Sequence, residues 1–205
     1  MRTLPDPYVL AILLADAVLL LLLYERLLAA LRGAFACMRS NYSAREMLGN
    51  NYLCSSVAVI SVLLVPFFAA ALVVAEASRA GFFWTLAALV GILLFRKLVF
   101  ATMGWLSSRR NAFRSLEILS YAFAVGVMFA SFPAFLVGWL APSVPGWVCW
   151  GWMALAFAGM ALLYVWRASS IILPTGFSSL YWVLYLCGLE LLPICVAVNF
   201  LINGN

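Results

Sequence analysis

Long apolar stretches alternate with short polar ones along this chain, at residues 8–23, 52–75, 82–105, 116–140, 146–166 and 177–202. A helix rises about 1.5 Å per residue and the hydrocarbon core of a bilayer is about 30 Å thick, so runs near 20 residues cross it. The pattern predicts an all-α integral membrane protein: a six-transmembrane-helix bundle forming one membrane domain over residues 1–205, with little outside the membrane.

One segment departs from this pattern. Over residues 24–39, Glu25, Arg32 and Arg39 recur on one side, while Leu27, Leu28, Leu31, Phe35 and Met38 gather on the other. That spacing predicts an amphipathic helix. It either extends span one or lies along the membrane surface with its basic face towards lipid headgroups.

Local signals punctuate the spans. Asp6 followed by Pro7 marks a helix start, an N-cap with proline at the first helical position. Span one lacks the small-residue cleavage site of a secretory signal and is expected to be retained. Ser43 to Glu46 matches a capping box, and Gly49, Asn50 and Asn51 interrupt any helix begun there. Pro66, Pro133 and Pro193 fall inside spans two, four and six and are expected to kink them. In span five Gly151, Ala154, Ala158 and Ala161 fall on one stripe, expected to pack within the bundle or, alternatively, to form a dimerisation face. No internal repeat is visible, which weighs against an inverted-repeat transporter.

Charge sets the orientation. Segments after spans one, three and five hold Arg26, Arg32, Arg39, Arg45, Arg109, Arg110, Arg114 and Arg167, against Arg2 and Arg79 on the other side. By the positive-inside bias, both termini lie outside, in the periplasm, and the basic loops are cytoplasmic. Arg26, Arg32, Arg39, Arg109, Arg110 and Arg114 are then candidates for contact with lipid headgroups or a partner. Trp84, Trp139, Trp147 and Trp150 mark the outer interface, and Trp105, Trp166 and Trp182 the inner one.

Composition reinforces the class and removes several functions. Hydrophobic residues make up 67% and charged residues 9% of the chain, against roughly 45–50% and about 25% in soluble domains. The net charge of +5 is spread beside the spans and forms no nucleic-acid-binding module. Five cysteines, Cys37, Cys54, Cys149, Cys187 and Cys195, lie mostly in apolar runs without a CxxC pair and read as core-filling thiols. The chain has no histidine, which removes the common zinc ligand sets and serine–histidine triads. No metal or cofactor is expected.

The remaining chemistry is buried. Asp16 lies about 12 Å below the outer start of span one and Glu190 about 20 Å above the inner start of span six, both near mid-bilayer. A charged residue at the helix centre costs about 2.5–3.5 kcal/mol on insertion scales, so both acids are expected to face the bundle, paired or protonated. Arg96 and Lys97, towards the inner end of span three, are the candidate basic partners, with Arg96 able to reach the acids or snorkel inward. Pro193 frees the carbonyl of Leu189, a polar defect one turn from Glu190. Tyr181 and Tyr185, one turn apart, pack on the inner half. The expected buried polar set is Glu190, Asp16, Arg96, Lys97, Tyr185 and Tyr181.

The run Leu184-Tyr185-Leu186-Cys187-Gly188-Leu189-Glu190-Leu191-Leu192-Pro193, after the basic position Arg167, resembles the C-terminal signature of domain-of-unknown-function family 4271, polytopic inner-membrane proteins of Bacteroidota. Arg96, Lys97 and Gly104-Trp105 are similar to that family as well. Gly188 departs from the alanine or similar small residue expected there. The resemblance implies that Glu190 and Pro193 belong to the defining feature of the fold and that the host has an outer membrane. It implies no activity, cofactor or substrate.

Three roles follow as expectations. The first is a non-enzymatic subunit or scaffold of a larger envelope complex in the inner membrane, with a membrane-protein partner or a second copy. The second is a small proton-coupled transporter or channel component using Asp16, Arg96 and Glu190 as a relay. The third is a lipid-modifying enzyme, for which Glu46, Glu76 and Glu117 are too scattered to form an obvious site.

Overall fold

A computed structural model describes residues 7–40, 49–73, 79–106, 110–140 and 144–172, and among these the chain is helical with no strand. The helices are α1 Pro7–Leu22, α2 Tyr24–Arg39, α3 Asn51–Leu63, α4 Val65–Val73, α5 Arg79–Leu106, α6 Arg110–Leu140 and α7 Gly146–Ile172. Four stretches are long and apolar enough to cross a membrane, Asn51–Leu72, Ala80–Trp105, Phe113–Gly138 and Gly146–Ile171, and the bent pair α1 and α2 raises the number to five if it counts as one span. The protein is a membrane-embedded helical bundle. The expected sixth span, 177–202, lies outside the described residues, as do Asp6 and the capping box at Ser43 to Glu46.

Exposed tryptophans bracket the two outermost long helices. Trp84 and Trp105 lie near the ends of α5 and Trp147 and Trp166 near the ends of α7, all largely exposed. Their separations along the axis are about 31 Å and about 29 Å at helical rise, the thickness of the hydrocarbon core. Amphipathic rings at both interfaces suit this spacing.

Helix α1 begins with Pro7 at its first position, as the Asp-Pro pair suggests. At Leu23 the chain turns by 83° without losing its ladder, since Leu23 N–H donates to the Leu19 carbonyl at 2.9 Å and Leu27 N–H to the Leu23 carbonyl at 2.9 Å. Helix α2 is therefore not a straight extension of span one. It tucks the small residues Ala30, Gly33, Ala34 and Cys37 into the core and packs against α3 and α6. Leu27, Leu31 and Met38 pack at the margin of that core. Phe35, expected on the apolar side, is 64% exposed. The packed edge is set by small size, because close helix approach excludes a phenyl ring.

Asn50 starts α3: its Oδ1 accepts from Tyr52 N–H at 3.1 Å and Leu53 N–H at 3.2 Å, satisfying amides that have no partner within the helix. Pro66 interrupts the second span as expected, separating α3 from α4 at Leu64. Its missing N–H deprives the Val62 carbonyl of its usual donor. Pro133 lies inside α6, which continues through it.

Two helices are longer than their apolar runs. Helix α6 begins at Arg110, ahead of residue 116, and α7 continues past residue 166 to Ile172. Arg114 and Arg167 are thus helical, because a helix end beyond the hydrocarbon tolerates charge where a span centre does not. Helix α6 is the hub and packs against α2, α3, α4, α5 and α7. Around it lie two apolar clusters, one including Ala34, Cys37, Ile60, Leu116, Leu119 and Ala168, the other including Val9, Leu13, Ala70, Phe82, Phe135 and Met153.

Candidate functional site

The buried face of α1 reads Val9, Leu13, Asp16, three positions that the 3.6-residue repeat places on one side. Val9 and Leu13 belong to the second cluster, while Leu20, one turn beyond Asp16, packs against the first. Asp16 therefore sits at the seam between them. It is 6% exposed, and its Oδ2 has no hydrogen-bond partner among the described residues. Among the described residues, no ionic neighbour acts on it.

The expected basic partner goes elsewhere. The Arg96 guanidinium lies over the Tyr164 ring, 5.5 Å from its centroid, and Tyr164 meets Phe123 edge-on at 5.6 Å. Glu117 lies within electrostatic reach of Lys97 and Arg114, and Tyr121 within reach of Glu117 and Arg96. The reason is packing: α5 lies against α4 and α6, whereas α1 lies against α2, α3 and α4. The structure thus gathers Arg96, Lys97, Arg114, Glu117, Tyr121 and Tyr164, with Asp16 apart. Arg114, Glu117 and Tyr121 follow helical spacing, a signal hidden once residues before 116 are taken as loop. Glu190, Tyr181, Tyr185 and Pro193 lie outside the described residues.

Arg167 has a role that its place in the charge pattern did not suggest. Its Nε donates to the Met38 carbonyl at 3.0 Å and its Nη2 to the Arg39 carbonyl at 2.6 Å. These are carbonyls of the last turn of α2, which lack helical partners and carry the negative end of the helix dipole. Arg167 ties the end of α7 to the end of α2. Close by, Gly126 of α6 leaves room for Met38 and Met160, whose methyl ends would collide with any Cβ there.

Among the other basic candidates, Arg26 lies over the Tyr52 ring at 5.9 Å, while Arg32, Arg39 and Arg114 are exposed. Arg109 and the side chain of Arg110 are outside the described residues. Cys37 and Cys149 are buried and Cys54 is half-buried, and none of the three is in a disulfide. Among the described residues no group of three or more histidine, cysteine or acidic side chains is placed to hold a metal. Glu46 and Glu76 lie outside the described residues.

The small stripe of span five faces outward. Gly151, Ala154 and Ala158 are exposed and Ala161 half-buried, so the stripe does not pack within the described bundle.

Comparisons with known protein families, with curated proteins and with solved structures find no match.

Proposed function

We propose that this chain is a non-enzymatic, multi-pass subunit or scaffold of a larger complex in the inner membrane of a Gram-negative cell. The observation that carries the reading is the open strip on α7. A Cβ at Gly151 or Gly159 would meet nothing within 4 Å, and Ala154 and Ala158 are exposed between them. Small residues left uncovered among the described residues leave a surface on which another helix can lie at close range. The partner is a membrane helix of another protein or of a second copy. Six spans with both termini outside, and membership of domain-of-unknown-function family 4271, belong to the same proposal, supported by the arginine distribution and by the run around Glu190.

The test is extraction in mild detergent, sizing of the particle, and identification of co-purifying proteins by mass spectrometry for the parent and for Ala154→Leu with Ala158→Leu. A stoichiometric partner or second copy, lost in the double variant, supports the reading. A lone monomer in the parent ends it. A second reading, a small proton-coupled component, is favoured by the unbonded Oδ2 of Asp16, since an ionisable group in the membrane interior marks a functional position by default.

A further inference from the structure

The two apolar clusters give way to each other at comparable places along three of the bundle's elements, and each changeover is polar or broken. On α1 it falls at Asp16, between Leu13 and Leu20. Along α3 and α4 it falls between Leu64 and Phe67, across Pro66. On α6 it falls between Met128 and Ala134, where Ser131 and Pro133 lie.

Proline removes an amide, so the Val62 and Phe129 carbonyls each lose the usual donor four residues on; at Val62 the Leu64 N–H turns towards the carbonyl instead. The Ser131 hydroxyl, 2% exposed, donates to the Val127 carbonyl at 2.7 Å, and the Trp152 indole N–H donates to the Ala130 carbonyl at 2.9 Å. A buried carboxyl on α1, the proline-interrupted turn between α3 and α4, and a buried hydroxyl beside Pro133 on α6 thus each lie where one cluster gives way to the other.

We propose that this seam is a proton-exchange site in which the Asp16 carboxyl group takes a proton from water and returns it to water. The proton leaves the carboxyl oxygen for a water molecule, and the reverse step restores the neutral acid. Among the described residues, no charge on the helices packed against α1 is placed to cancel the change, and on α6 Glu117 lies with Lys97 and Arg114, about four helical turns from Ser131. On α2, Glu25 and Tyr24 are exposed, Arg26 is over Tyr52, Arg32 and Arg39 are exposed, and Cys37 belongs to the first cluster. On α3, Tyr52 is exposed beside Arg26 and Cys54 packs at the first cluster. Helix α4 has no titratable side chain, and on α1 itself Tyr8 is exposed. Proton transfer at Asp16 therefore changes the charge of the seam by one unit, with no ionic neighbour among the described residues to offset it. The inference is independent of the subunit reading, because co-purification does not report on this carboxyl group and the spectroscopy below does not report on partners.

The sequence makes the test clean, since Asp6 and Asp16 are its two aspartates. Cell-free synthesis of the full chain with aspartate carrying heavy carbon in its side-chain carboxyl, followed by reconstitution into lipid bilayers, gives infrared carboxyl bands from these two residues. Asp6→Asn leaves Asp16 alone. The expected result is a protonated-carboxyl band that is lost as pH rises and that shifts when water is replaced by heavy water. Absence of a protonated band at every pH at which the fold survives overturns the proposal. So does a band that stays unshifted in heavy water, which would mean a sealed, structural acid. Asp16→Asn is expected to abolish the band; if that variant does not fold, the labelled Asp6→Asn chain decides the matter by itself.

Discussion

Helices α5 and α6 are both bilayer-length and strongly apolar, yet 6% of the apolar stretch of α5 is buried against 39% of that of α6. Hydropathy therefore separates neither from the other. What differs is the arrangement of small and polar side chains. Helix α6 turns inward a face containing Ser115, Leu116, Leu119, Ser120, Ala122, Val125 and Ser131, with Gly126 leaving room for the ends of Met38 and Met160. Helix α5 turns Trp84, Leu94, Phe95, Leu98 and Trp105 outward. In lipid, burying an apolar side chain gains little over leaving it in acyl chains, so position follows from packing and hydrogen bonding.

The sharpest way to break this comparison is truncation at matched sites. Leu116→Ala or Leu119→Ala, at fully buried positions of α6, is expected to cost about 2–5 kcal/mol, whereas Leu98→Ala on α5 changes little. Reversible unfolding in mixed micelles reads both, and equal losses would mean that α5 is as central as α6.

Glycines give the next contrast. Gly126→Leu drives a side chain into Met38 and Met160 and is expected to cost about 1–3 kcal/mol. Gly91→Leu on α5 enters open space and is expected to leave thermal unfolding unchanged. Gly126→Ala costs less than Gly126→Leu, because the methyl ends of two methionines can swing aside.

Removing the α7-to-α2 tie is expected to cost about 1.5–3 kcal/mol in Arg167→Ala, the range for hydrogen bonds to a charged group. Arg167→Lys keeps the charge and loses the paired donors, so it falls between parent and alanine. Limited proteolysis after Arg39 should accelerate in the same order; an unchanged cleavage rate would show that α2 is held by its small-residue edge alone.

The smallest effect is at the polar cluster joining α5 to α6 and α7. Arg96→Ala removes the stacking over Tyr164 and is expected to cost about 0.5–2 kcal/mol. The exposed Lys97 is expected to cost less when changed to alanine. A larger loss at Lys97 would move the centre of the cluster to Glu117.

Much of the helical scaffold could be read along the chain. The amphipathic segment 24–39 coincides with α2 Tyr24–Arg39, because a change from uniform to one-sided polarity is local information. Pro7 and Pro66 punctuate helices by removing backbone groups close to their own positions, which is local as well, whereas Asn50, expected to interrupt a helix, instead caps α3. Less of the site was legible. Asp16 was visible as a buried acid, but its separation from Arg96 was not, since that depends on which helices α1 and α5 lie against. Arg167 was counted for its charge, while its bonds to Met38 and Arg39 join residues far apart in sequence.

The sequence by itself determined that this chain is a membrane-embedded set of long helices, because apolar length and one-sided polarity act within a few turns. It also determined that proline begins a helix at Pro7 and interrupts the second span at Pro66. Tertiary structure alone decided that the chain turns by 83° at Leu23, where neither glycine nor proline announces a corner. It alone decided that α6 is the hub, that the α7 stripe faces outward, and that Asp16 stands at the seam of two clusters. In a chain this uniformly apolar, hydrophobicity says which residues enter the membrane, and only close packing between distant segments says which of them meet.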